Sequence, residues 1–128
     1  MSYLVLENVP EEVAAKVRDL IAEVCSWTVE EAEIATAACG AALSAGRGAA
    51  RYAAGYAACV AVCDSARDSV LDAVLDAVLD SVSSAAHGAA GDAVLSALVS
   101  DLISEEHQNV LNVGLNAVRK FRGRSERS

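Results

Sequence analysis

The sequence predicts an all-α fold: a bundle of four or five helices with Ala, Gly, Ser and Cys on its packing faces, and room for one short N-terminal strand. Three observations carry this. Hydrophobic residues make up 54% of the chain but aromatics only 4%, so most of the apolar share falls to small aliphatic side chains, alanine above all. Alanine is the best helix former and is depleted in strands. Eight glycines and one proline are too few for a turn-rich β domain. Apolar residues also recur every three or four positions, the period of a helix face. At 128 residues the chain is one domain's worth, long enough to bury a core without disulfides or metal.

The elements follow in order. Residues 2–9 are apolar and β-prone and can form the strand. Pro10 suits a first helical position, where its missing N–H would be unpaired anyway, and Glu11 and Glu12 suit the positive end of the helix dipole. The first helix then reaches about Trp27, with Val13, Val17, Leu20, Ile21 and Val24 on one face. Thr28-Val29-Glu30-Glu31 has capping-box spacing and starts a second helix, which fades near Gly46-Arg47-Gly48. A third helix runs from about Ala49, with a new cap available at Asp64 or Ser65. Its signal continues to His87-Gly88, where glycine can end a helix and the imidazole can serve the last carbonyls. Asp92 can cap the last helix, which reaches about Phe121.

Charge is placed unevenly. The formal net charge is −8, but residues 1–118 carry 5 basic and 17 acidic groups, whereas 119–128 carry 5 basic and 1 acidic. The chain therefore reads as one helical domain over 1–118 followed by a basic tail over 119–128. Asp64, Asp68, Asp72, Asp76 and Asp80 recur every four residues through the repeat DSVL-DAVL-DAVL-D. A row of carboxylates on successive helical turns does not converge on one point as calcium requires. The row reads as a solvated face opposite the Val/Leu pairs. Its functional alternative is docking against a basic surface, for which the tail cations Arg119, Lys120, Arg122 and Arg124 of another subunit are candidates.

Cys25, Cys39, Cys59 and Cys63 are the candidates for metal chemistry, since four thiolates can enclose zinc or an iron–sulfur cluster. Paired cysteines at ligand spacing occur only once, however, and Tyr52, Tyr56, Cys59 and Cys63 form an i, i+4, i+7, i+11 stripe that reads as a core face. A disulfide is the third alternative, disfavoured by the cytoplasmic location expected from an N-terminus without a basic leader segment. Glu106 and His107 interrupt apolar stripes of the last helix. Together they are a candidate polar site; the plainer reading is that Ser104 caps a new helix with Glu105 and Glu106 in its first turn. Phosphate loops, dinucleotide turns, nucleophile elbows and His-Glu zinc motifs are not found, so no enzyme and no resident cofactor is expected. Charge-free runs 34–46 and 52–63 are too short to span a bilayer. The acidic body argues against general nucleic-acid binding.

Residues 2–34 resemble a ribbon-helix-helix antitoxin or repressor. The likeness rests on Tyr3–Leu6 as a strand, Asn8-Val9-Pro10-Glu11-Glu12-Val13 leading into a helix that carries Arg18, and Thr28 with Glu31-Ala32-Glu33-Ile34 opening a second. The resemblance implies a dimer that reads DNA with a paired ribbon bearing Tyr3, Val5 and Glu7, the last standing where the family usually carries arginine. Residues 35–63 resemble alanine-rich helical immunity proteins of bacteria at the level of composition. The function expected first is that of a non-enzymatic interaction protein, self-associating and binding a protein partner. A ribbon-helix-helix repressor and a cysteine-ligated metal bundle are the alternatives.

Overall fold

The computed structural model describes residues 9–127, and among these the chain is all-helical. The elements are α1 (Glu11–Cys25), α2 (Val29–Ser44), α3 (Gly48–Asp64), α4 (Asp68–Leu79), a 3₁₀ turn (Ser84–Ala86), α5 (His87–Leu98), α6 (Glu105–Leu111) and α7 (Val113–Arg127). The strand expected over 2–9 lies outside the described residues except for Val9, which packs against the core without regular structure.

The expected four or five helices become seven because the two longest are broken. The third ends at Asp64 and turns through Ala66 at φ 57°. There the Ala66 N–H donates to the Cys63 carbonyl (3.2 Å) and the Arg67 N–H to the Val62 carbonyl (3.0 Å), the bond pair that closes a helix on a left-handed residue. The same pair closes α2 at Gly46, φ 84°, a residue that adopts this conformation without strain. Alanine gives no such signal in the sequence. Helix α4 ends at Leu79, so Gly88 does not terminate a helix but sits in the first turn of α5. His87 does meet helix-end carbonyls, but from the start of α5 rather than from the end of the helix it was expected to close: its Nε2 lies 3.0 Å from the Leu79 carbonyl and 3.1 Å from that of Val82. Asp92 falls inside α5 and caps nothing. The break at Ser104 is present, its hydroxyl accepting the His107 N–H at 3.1 Å. The Thr28 capping box also forms, Glu31 N–H to the Thr28 hydroxyl at 3.1 Å and Thr28 N–H to the Glu31 carboxylate at 2.9 Å.

Helix α5 is the hub, packed by α1, α4, α6 and α7. Its Ala89, Ala90, Ala93, Val94 and Leu98 are buried, and small side chains let that many neighbours approach one helix. Helix α1 brings Val13, Val17, Leu20 and Val24 to this core, and α4 brings Val70, Val74 and Val78. Helix α7 lies along α2, with Gly114 pressed against both α5 and α2. A Cβ there would stand 2.7 Å from the Ala89 Cβ and 3.2 Å from the Ala35 carbonyl oxygen, so glycine is required by space.

Three ion pairs fasten the ends. Arg67, only 5% exposed, grips Asp101 with two bonds (2.8 and 3.1 Å) and donates to the Leu98 carbonyl (3.0 Å), tying the α3–α4 turn to the C-terminus of α5. Arg119 forks onto Glu23 of α1 (2.8 and 2.9 Å). Arg122 reaches Glu31, the capping-box residue of α2. The division expected between 118 and 119 thus falls inside α7, whose Arg119 and Arg122 already hold partners within this chain.

Candidate functional site

Helix α3 is built almost wholly of small residues on one side and carries its bulk on the other. Ala54, Ala58 and Val62 are buried against α6 and α5. At about 100° per residue, Tyr52, Tyr56, Cys59 and Cys63 then fall on the opposite side. Tyr52 is 77% and Tyr56 65% exposed, and both cysteines are exposed as well. The stripe read as a core face is therefore a surface face. The physical reason lies in its counterpart: an alanine face permits closer helix packing than tyrosines would, so the small side goes inward.

Val60, 40% exposed, flanks the stripe, and Leu102 from the α5–α6 connection, 48% exposed, stands close by. Between them runs an open groove of about 710 Å³ lined by Tyr56, Ala57, Val60, Ala61, Asp64, Ser65 and Leu102. One element thus presents an aromatic ridge at its N-terminal half and an apolar groove toward its C-terminal end. Contiguous apolar surface of this kind marks interaction sites in soluble proteins. The signal available in the sequence was the alanine pair Ala54 and Ala58, which competes with the tyrosine stripe for the inward side. Leu102 carried no signal, because only the fold brings its loop beside α3.

The other candidate residues are distributed as follows. Cys25 and Cys39 are half-buried on α1 and α2, far in character from the exposed pair on α3, and all four are free thiols. Among the described residues no three His, Cys, Asp or Glu side chains gather where they could hold a metal ion. Burial pushes the Cys39 thiol up from its ordinary value; Asp92 adds to this, while Arg51 and the Gly114 N–H act against it. Asp92 is itself raised by burial, opposed by its 2.7 Å bond from Arg51. Asp64, Asp68, Asp72, Asp76 and Asp80 are all exposed, opposite buried Val70, Val74 and Val78, which is the solvated face expected. Asp64 belongs to α3 rather than to the helix of the other four.

Lys120 and Arg124 are exposed on α7. Arg119 and Arg122 point back into the chain. Donating to Glu23 raises Arg119, and hydrogen bonding from Arg122 lowers the Glu31 carboxyl to about 2 against the opposing effect of burial. Asp101 is likewise lowered, chiefly by its bonds from Arg67. Glu106 is exposed and His107 half-buried in the first turn of α6, so they do not form a buried acid–imidazole pair. Of the residues carrying the ribbon-helix-helix likeness, Tyr3, Val5 and Glu7 lie outside the described residues, and Arg18 pairs with Glu11 at 3.1 Å on the surface of α1. No helix among the described residues is long and apolar enough to cross a membrane.

Comparison with protein families, with curated proteins and with solved structures found no match.

Proposed function

We propose that this protein acts by self-association, two copies pairing through the outer face of α3, and that this paired form is what presents it to other proteins. The observation that supports the reading is the adjacency of ridge and groove on one helix. A two-fold axis perpendicular to α3, crossing it between Ala57 and Ala58, sets Tyr52 opposite Cys63 of a second copy and Tyr56 opposite Cys59. Each tyrosine ridge then meets the other copy's Val60–Leu102 groove. A two-fold contact must be self-complementary in this sense, one patch meeting its own copy. Tyrosine suits it, since it buries a large area with few rotatable bonds.

The test is sedimentation equilibrium of the full-length protein under reducing conditions. A monomer–dimer equilibrium is expected with a dissociation constant on the order of 10 µM, in keeping with a small interface. Tyr56→Glu places a charge in the contact and is expected to weaken pairing at least about 100-fold while the circular dichroism spectrum stays unchanged. A wild-type protein that stays monomeric at about 200 µM, or a Tyr56→Glu protein that pairs like wild type, would overturn the reading.

A further inference from the structure

A second feature, remote in kind from the α3 face, is a polar pocket of about 330 Å³ between α1, α5, α6 and α7. Its volume lies at the lower end of the range that holds small molecules. Two pairs of side chains four residues apart line it: Ser96 of α5 with Ser100 in the turn beyond its end, and Gln108 of α6 with Asn112 at its C-cap. Ser96 is 1% exposed, and its hydroxyl has no hydrogen-bond partner. The Ser100 hydroxyl and the Asn112 Oδ1 are buried and unpartnered as well. The Gln108 Nε2 is engaged, donating to the Ser100 carbonyl at 3.1 Å, so it holds the two pairs together. Three orphaned polar atoms in one pocket go against the rule that buried polar groups find partners. In a core otherwise made of Ala, Val and Leu, serine at position 96 costs stability unless something meets its hydroxyl.

From this we infer that the pocket is a binding site for a small, uncharged polyhydroxyl compound. The chemistry of the orphans selects that class. Asn112 Oδ1 only accepts, so the ligand must donate; the serine hydroxyls both donate and accept, so a ligand whose groups do likewise satisfies all three. Charge selects neutrality. The rim carries Glu23 and Arg119, which neutralise each other in a forked pair, and Lys16 and Asp19, which are of opposite sign. Leu20, Ala93 and Leu115 supply apolar wall against which the carbon face of such a compound packs.

The probes are glycerol, erythritol, myo-inositol and glucose, each titrated to about 50 mM while the thermal midpoint of the full-length protein is followed. At least one is expected to raise the midpoint along a saturating curve with a dissociation constant below about 5 mM. Ser96→Val, which puts a methyl in place of the hydroxyl and adds a second, is expected to abolish saturation. Ser100→Ala provides the same test should Ser96→Val fail to fold. Polyols also raise midpoints non-specifically by exclusion from the protein surface, an effect linear in concentration and equal in all variants. If only that linear effect is found in wild type, the pocket holds water and the proposal fails. It fails equally if Ser96→Val and Ser100→Ala keep the saturating response.

Discussion

Helices α5 and α3 are made from nearly the same alphabet, Ala and Gly with a few Val, and end in opposite situations. Helix α5 buries a wide face, with Ala89, Ala90, Ala93, Val94, Ser96 and Leu98 all buried. Helix α3, five residues longer, buries only Ala54, Ala58 and Val62. The difference is in neighbours rather than in composition: α5 is packed on several sides, whereas α3 leans chiefly on α6, with lesser contact to α5 and α4. The lesson is that small residues set how closely helices can approach, not which helices will be surrounded. Whatever bulk a helix on the periphery carries is then left facing solvent, where it is either a cost to solubility or a means of contact.

The largest effect expected on this contrast comes from the hub. Leu98→Ala removes a fully buried side chain at the end of α5 and should lower stability by about 3 kcal/mol in urea denaturation, since α5 is hemmed in and cannot collapse into the cavity. Tyr56→Ala on α3, measured at concentrations below those that favour pairing, should change it by less than about 0.5 kcal/mol. Equal losses at the two positions would mean that α3 is also enclosed.

An intermediate effect concerns the seam of α2 and α7, which is held by charge where α5 is held by packing. Glu31 titrates at about 2 in the fold, below its ordinary value of 4.5. Its contact with Arg122 therefore contributes fully above the ordinary value and is lost as pH falls toward 2. Asp101, lowered by Arg67, acts in the same direction; Asp92, raised by burial, acts the other way, because its protonation favours the folded state. A net loss of about 1–2 kcal/mol is expected on acidification across that window, and Arg122→Met should flatten the profile. A profile that is unchanged in Arg122→Met would show that this pair does not hold the seam.

The smallest effect sharpens the boundary of α3. Ala66 occupies the left-handed conformation that Gly46 occupies at the end of α2. Ala66→Gly should stabilise the protein by about 0.5–1 kcal/mol, the strain relieved less the added freedom of the unfolded chain, read as a higher denaturation midpoint. Destabilisation would mean that the Ala66 methyl has packing the turn depends on.

Local signals in the sequence were legible where the partners are close in the chain. The Thr28–Glu31 capping box, the Ser104 cap, the placement of His87 near the carbonyls ending α4 and the solvated aspartate row all depend on residues within a few turns of one another. Features that join distant segments were not legible. The Arg67–Asp101 pair spans 34 residues and the Arg122–Glu31 pair 91, and no periodicity announces either. A break near Asp64 and Ser65 was legible as an available cap, but the left-handed turn that makes it was not, because Ala66 adopts a backbone conformation its residue type disfavours. The partners of Arg119 and Arg122 within this chain were not legible, because the excess of charge at 119–128 is visible in the sequence while Glu23 and Glu31 lie far off in it.

By itself, then, the sequence determined the helical class of this protein, the caps at Thr28 and Ser104, the end of α2 at Gly46, and the polarity of its amphipathic helices, α1 and α4, where bulky and charged residues segregate cleanly. For α3, α5 and the seam of α2 and α7 the alphabet is too uniform for such a choice. Only the tertiary structure decided that α5 is central, that the tyrosines of α3 face outward, and that Ser96, Ser100, Gln108 and Asn112 meet around one pocket. The physical reason is the same each time: alanine fits both core and surface, so which side of an alanine-rich helix is buried depends on contacts made across the whole chain.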